Sequence, residues 1–403
     1  MKNSGEIKMY NQQEADCLRN IIRYHLEGDS LPAIPEGVTQ ERLFQIAREN
    51  HIDFMVAEAL LELGILDSSK EAEMRHHCFQ RIFHSANQLH ELERLQNAFE
   101  AEKVKNLPLK GAVLKFLYHK PEQRQMSDLD ICVEEEELSH VQTIMETLGY
   151  QLVEQVKNHD VYYKSPNMEI EIHKCLYKKE VDKKQHDYFG GLERAIKDEG
   201  KEYCYHQTHE AFYIYMIAHM ACHFYERGCG VRNLIDIYVY LKKFENIMDK
   251  AYVEKALQEC GLTDFECYMR KLSFMWLKDG KIKEEFYQSL LGFMMDCGIY
   301  GKEQYGVWKE YAKQRDKEGG NSAQNMKVWY VFPPLRYMEK EFSTLKKLPV
   351  LLPVFWVFRI VRGIVCKRGL ERREYLHTVD DGKVNIIQDI YFRMNFKFEE
   401  EKP

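Results

Sequence analysis

No Cys-x-x-Cys pair occurs among the eleven cysteines, so neither a zinc ribbon nor a thioredoxin-type redox site is indicated. The first residues, Met1-Lys-Asn-Ser-Gly-Glu, hold no apolar stretch, which argues against a secretory signal. Scattered thiols in odd number then point to a reducing compartment, and a cytoplasmic protein is expected. The longest apolar run, Leu348 to Phe358, has 11 residues and includes Pro349 and Pro353. A bilayer needs about 20, so no transmembrane segment is expected. Excess positive charge is also missing. A net charge of −7 disfavours a protein whose main task is gripping a nucleic-acid backbone, because that needs clustered Lys and Arg. There is no internal repeat and no low-complexity tract.

What is present describes an ordinary globular chain. With 45% hydrophobic and 30% charged residues over 403 positions, it can bury a core and is long enough for two or three domains. Residues 10–104 have helical period: Leu43, Ile46 and Ala47, then Phe54, Ala57, Leu60 and Leu61. A long amphipathic helix follows, with Met74, Cys78, Ile82, Leu89, Leu92 and Phe99 expected on its buried side. The pattern then changes. A short strand at Asn106 to Leu109 ends at Lys110-Gly111, a short helix follows at 112–119, and Met126 to Val133 reads as a strand. The acidic run Glu134 to Glu137 suits the positive end of a helix dipole and opens a helix that Gly149 stops. Three alternating segments come next, Tyr150–Val156, His159–Lys164 and Met168–His173, the last two joined by a turn at Ser165-Pro166-Asn167. From about 208 to 300 the period is helical again. The stretch 320–370 is aromatic and basic, with Trp329, Tyr330, Phe332, Tyr337, Phe355, Trp356 and Phe358 followed by Arg359, Arg362, Lys367 and Arg368. Core packing with snorkelling arginines is expected there in preference to a membrane-surface helix. A charged, frayed end is expected from Lys397. Residues 104–175 therefore read as an α/β or α+β unit with helices before and after it.

The chemistry concentrates in Ser127-Asp128-Leu129-Asp130-Ile131. Two aspartates at i and i+2 on a strand project from one face, about 6.6 Å apart along it. Like charges that close repel, and a hard cation such as Mg²⁺ resolves the conflict by accepting carboxylate oxygens while keeping sites for substrate phosphates. Taken alone, Asp-x-Asp fits a solvated strand edge just as well. In Met168-Glu-Ile-Glu-Ile-His173, residues Glu169, Glu171 and His173 share a strand face, so an adjacent strand would bring Glu169 or Glu171 to the same metal. A solvent-facing hairpin gives the same alternation. Lys110-Gly111 before a helix offers close backbone approach, N–H groups and a point charge for a phosphate, or simply a turn with a surface lysine.

Leu-Pro-Leu-Lys110-Gly111, then Arg124-x-x-Ser127-Asp128-Leu-Asp130, then Glu171-Ile-His173, resembles the bacterial uncharacterised nucleotidyltransferase family, a branch of the DNA-polymerase-β-type nucleotidyltransferase superfamily. The resemblance is loose in the helical arms and sharp over 107–175. It implies an α+β fold class, with a small mixed-sheet core at 104–200 between helical regions at 1–103 and 201–403. It also implies Asp128, Asp130 and Glu171 as ligands of Mg²⁺ or Mn²⁺, with Glu171 as a base for the incoming hydroxyl. It places Lys110, Gly111, Arg124 and Ser127 on the nucleotide side, Arg124 as a triphosphate contact or as a structural ion pair. Where the superfamily has Gly-Ser or Gly-Gly, this chain has Lys110-Gly111, so the serine's phosphate contact is replaced or absent. His219-Met-Ala-Cys-His223…Arg232-Asn-Leu-Ile-Asp236 resembles the family's helical region. His219 and His223 share a helix face but lack the Glu of a zinc-protease motif, and packed histidines are the plainer reading. The alternative role is closure of the cleft over nucleotide or acceptor by the helix of His219 and His223, with Arg232 or Asp236.

The implied function is metal-dependent transfer of an NMP group from an NTP such as ATP to an unidentified acceptor, releasing pyrophosphate. A catalytically degenerate nucleotide-binding or scaffold protein of the same fold is the alternative, kept open by the altered loop. Phosphoryl transfer is a third, since similar metal geometry serves it.

Overall fold

The computed structural model describes residues 11–177, 179, 182–192, 194–306, 308, 309, 312, 331–365 and 381–396. Trp329, Tyr330, Lys367 and Arg368 of the aromatic-basic stretch, the first ten residues and the charged end from Lys397 lie outside the described residues. The described chain forms two compact units. One takes in residues up to 224 together with 229–299; the other takes in 225–228 and the residues from 300 onward.

In the larger unit, helices α1 (Gln12–Glu27), α2 (Gln40–Glu49), α3 (Asp53–Leu63) and α4 (Ser68–Ala101) come first. Their starts are written locally. Asn11 accepts from the Gln13 N–H, Thr39 from Arg42, and Asp67 from both Ser69 and Lys70, so side-chain oxygens satisfy otherwise orphaned amides. The buried residues of α4 run from Met74 through Ser85, Gln88, Glu91, Leu92 and Leu95 to Phe99. Ile82 is not among them. It stands exposed beside Phe79 and Phe83, contrary to the apolar stripe expected from the sequence. Polar Ser85 and Gln88 take the inward positions because Lys115 Nζ and the Met126 carbonyl supply their partners at 2.8 and 3.1 Å.

A five-stranded mixed sheet follows, from β1 (Asn106–Pro108), β2 (Leu129–Val133), β3 (Gln151–Gln155), β4 (His159–Lys164) and β5 (Met168–His173), in the order β1-β2-β5-β4-β3. β2 and β5 are parallel; the other pairs are antiparallel. Between β1 and β2 lies the short helix α5 (Gly111–Leu114), and between β2 and β3 lies α6 (Leu138–Thr147), closed by Gly149 at φ +85°. One sheet face carries Leu129, Ile131, Val133, Met168, Ile170 and Ile172 against Leu92, Leu95 and Phe99 of α4 and Val141, Ile144 and Met145 of α6. That burial leaves the alternate positions, Asp130, Glu171 and His173, on the opposite face. The fold class is α+β, as the sequence implies.

After the small helix α7 (Lys183–Phe189) and the two-stranded ribbon β6 (Ile196–Lys197) and β7 (Tyr205–His206), the chain returns to helix with α8 (His209–Arg227), α9 (Arg232–Phe244), α10 (Lys250–Glu259), α11 (Thr263–Phe274) and α12 (Glu285–Cys297). In the smaller unit, α13 (Leu335–Glu341) and α14 (Leu352–Val365) come from the aromatic-basic stretch. Core packing accounts for only one side of α14. Phe355 meets Phe342, and Trp356 meets Phe332 and donates to the Pro333 carbonyl at 2.8 Å. Val354, Val357, Phe358 and Val361 stand exposed. Among the described residues no helix is long and apolar enough to cross a membrane.

Candidate active site

The parallel register of β2 and β5 pairs Asp130 with Glu171 and Cys132 with His173, so these side chains emerge on one face in two rows. Asp128 sits at a bend just before β2. Even so, carboxylate oxygens of Asp128, Asp130 and Glu171 all lie within 4.8 Å of one another. The structure therefore brings together the three acidic residues singled out in the sequence. Glu169 lies on the same strand face, one step further from Asp130 along β5.

The three carboxylates are not equivalent. Asp130 is buried and accepts hydrogen bonds from Lys110 Nζ at 2.9 Å and His173 Nε2 at 2.7 Å. Burial opposes its ionisation, but the Lys110 charge and the His173 hydrogen bond prevail and hold it well below the usual carboxylate range. Asp128 lacks such donors. Burial first, then the neighbouring Asp130 charge, pushes its carboxyl up to about 6, against the pull of Lys110. Burial opposes the ionisation of Glu171, but the hydrogen bond from His173 together with the His159 and His173 charges lowers it. His173 is raised in turn: burial opposes its charge, and Asp130 and Glu171 overcome that.

Lys110 reaches Asp130 from an unusual backbone, φ +44° and ψ −113°, a conformation that costs a non-glycine residue energy and that recurs at functional sites. Its side chain thus holds a carboxylate here. Gly111 is constrained by its neighbours. A Cβ there would fall 2.6 Å from Met126 Sδ and 3.2 Å from Arg124 Nη1, so the glycine is required by packing whether or not a phosphate approaches. Gly111→Ala is expected to cost about 1–3 kcal/mol, read as a lower urea midpoint at unchanged slope. An unchanged midpoint with weakened nucleotide affinity would show that the glycine serves a phosphate instead.

Of the two roles left open for Arg124, the structure shows the ion pair. The guanidinium is buried, with Nε and Nη2 on the two Asp236 oxygens at 2.9 and 3.0 Å and Nη1 on the Gln125 carbonyl at 2.8 Å. Arg232 Nη1 shares the Gln125 carbonyl at 2.8 Å, and Ser127 is exposed. His219 and His223 meet Nε2 to Nε2 at 3.1 Å, an arrangement that requires one of these nitrogens to accept and its ring to be neutral. Burial, and after it the charge of Lys110, lowers His219 well below the ordinary imidazole value, and Tyr215, a turn earlier on α8, is raised by burial. Both side chains interact electrostatically with Lys110 and Asp130, so α8 lies beside the carboxylates.

His159 was not singled out from the sequence as a site residue. It stands opposite His173 across the β4–β5 hairpin, with Nε2 3.7 Å from Glu171 Oε1. The turn at 165–167 carried the signal: pairing Lys164 with Met168 and counting outward puts His159 against His173. A cavity of about 520 Å³ lies elsewhere, lined by Phe44, Leu60, Leu66 and Met74 among others of α2 to α4, and contains none of these titratable groups. The converging carboxylates mark the site better than the larger hollow does.

The mixed sheet and the bend before β2 thus bring Asp128, Asp130 and Glu171 into one all-oxygen cluster. The chain belongs to the uncharacterised nucleotidyltransferase family, whose model matches residues 36–278. Among solved structures it is similar to that of the antibiotic-resistance factor ANT(2'')-Ia, with 9% identity over 49% of this chain and 94% of that chain, at a TM-score of 0.27. No curated protein matches it.

Proposed function

We propose that the chain transfers an NMP group from an NTP to an acceptor hydroxyl with release of pyrophosphate, using Mg²⁺ or Mn²⁺ held by Asp128, Asp130 and Glu171. The observation that carries this reading is the convergence of three carboxylates in which one, Asp128, is held up at about 6 by burial and the neighbouring Asp130 charge. The donor set is all oxygen, which suits a hard divalent cation. When bound, such an ion neutralises charge developing on the transferring phosphoryl group.

The remaining work belongs to the chain. Lys110 and His173 fix the Asp130 carboxylate from two sides, so its orientation is set before any ligand arrives. Glu171, ionised at neutral pH, is the group placed to take a proton from the incoming hydroxyl. Lys110, which holds Asp130 at 2.9 Å, would in this reading also offer its charge to the triphosphate. His219 and His223 of α8, with Arg232 at the start of α9, would then close over the nucleotide or acceptor. In this reading 104–200 is the catalytic core and the flanking helical regions shape its substrates.

Incubation with each of the four common NTPs, Mg²⁺ or Mn²⁺ and a panel of hydroxyl acceptors tests the proposal. Pyrophosphate is the expected product. Nucleoside diphosphate in its place would establish phosphoryl transfer. Tight NTP binding with neither product would favour a binding module, a reading to which the packing role of Gly111 lends some weight.

A further inference from the structure

We propose that His159, Glu171 and His173 form a second cation site, for a borderline transition-metal ion of the zinc class, next to the all-oxygen site and chemically distinct from it. The inference shares Glu171 with the function proposed above but does not depend on it. The β4–β5 register sets His159 directly opposite His173, with Glu171 two residues back on the same face. The two imidazole rings have centroids 5.3 Å apart, tilted by 37°. Glu171 Oε2 lies 3.3 Å from His173 Nε2, and Glu171 Oε1 lies 3.7 Å from His159 Nε2. One ligand atom from each of the three residues lies within 4.8 Å of the others.

The second of those separations is too long for a good hydrogen bond. Both are close to the spacing of ligands around one ion. Metal–ligand bonds of about 2.1 Å in tetrahedral geometry hold ligand atoms roughly 3.4 Å apart. The trio can therefore close on an ion through side-chain adjustment alone, its backbone already fixed by six ladder pairs. Two imidazoles and a carboxylate select zinc, cobalt or nickel over magnesium, which favours oxygen. Three protein ligands leave a fourth position open.

The two sites also draw on the same groups. His173 donates to Asp130 at 2.7 Å through the nitrogen that would bind the ion, and Glu171 belongs to both trios. A transition ion at the hairpin thus withdraws His173 and Glu171 from the aspartates.

Titration of the full chain with Co²⁺ in excess Mg²⁺, followed by visible absorption, tests the site. One equivalent with bands of an imidazole-bound ion is expected. Outer partners of metal ligands alone are worth roughly 10–100-fold in affinity, so His159→Ala and His159→Gln should weaken binding by about 100-fold or more. Asp128→Asn, which weakens the competition of Mg²⁺ for the shared Glu171, should keep the cobalt spectrum and bind Co²⁺ at least as tightly. The proposal is overturned if both His159 variants, folded by circular dichroism, keep the affinity and spectrum, if Asp128→Asn abolishes them, or if the unaltered chain gives no such bands. No turnover is needed, so the result reads separately from the pyrophosphate assay.

Discussion

Asp128→Asn and Asp130→Asn should each lower pyrophosphate release by roughly 10³-fold or more, while moving the stability of the metal-free protein in opposite directions. In the proposed mechanism the loss of turnover follows from removing a charged ligand of the ion that would neutralise phosphoryl charge. The stability split follows from the environments. Asp128 ionises with difficulty because it is partly buried beside Asp130, its folded value standing at about 6 against an unfolded value near 3.9. The folded state therefore binds that proton more tightly. The carboxyl costs stability increasingly as pH rises from about 4 to about 6, and in full above that. Allowing for solvent screening at a partly exposed group, Asp128→Asn should gain about 1–2 kcal/mol at pH 7.5 in EDTA. Asp130 has the reverse sign. Its folded value is depressed, so its contribution is present above the unfolded value and disappears as pH falls through the folded one. Asp130→Asn strips the counter-charge from Lys110 and His173 and should cost about 2–4 kcal/mol, somewhat less than complete removal of a buried partner because the amide oxygen still accepts. Urea midpoints measured from pH 4 to 8 check both signs. An Asp128→Asn protein less stable than the parent at pH 7.5 would refute the repulsion on which the metal reading rests.

That asymmetry between two aspartates two residues apart was invisible in the sequence, although the pair itself stood out. Alternation gave β3, β4 and β5 nearly to the residue; β5 alternates buried Met168, Ile170 and Ile172 with outward positions, while β3 carries no buried residue and is held by its pairing to β4. The same rule extended β2 too far. Met126 to Asp128 stay outside the ladder because β1 pairs only with Ile131 to Val133 and the Met126 carbonyl is taken by Gln88. Asp128 therefore approaches the site from a bend, without a strand partner to fix it. What decides the electrostatics is non-local: His173 lies 43 positions from Asp130, and Lys110 lies 20 from it. Local pattern carries no record of such pairings until strand order is known. The exposed Phe79, Ile82 and Phe83 make the same point for α4, where partners elsewhere in the fold chose Ser85 and Gln88 for the inside.

Arg124→Ala and Asp236→Ala should each destabilise the protein by about 3–5 kcal/mol, among the largest single-residue effects available in this fold. The two residues are 112 positions apart and both are buried, joined by two nearly parallel hydrogen bonds. Tyr118 adds a third contact by donating its hydroxyl to Asp236 Oδ1 at 2.7 Å. The pair ties the segment leading into Asp128 to helix α9. Removing either partner leaves the other as an uncompensated buried charge, and that, more than the lost attraction, sets the cost. Arg124→Ala with Asp236→Ala removes both charges at once. The double variant should therefore lose less than the sum of the alanine effects, with a coupling of roughly 1–3 kcal/mol in urea unfolding. Function separates this role from a phosphate contact. Below the unfolding temperature the double variant should bind NTP within a few-fold of the parent, because each of the three guanidinium nitrogens of Arg124 already donates to a partner inside the protein. If Arg124→Ala kept full stability while its KM for NTP rose by 100-fold, the guanidinium would belong to the nucleotide, and the ion pair would be a resting arrangement that substrate breaks.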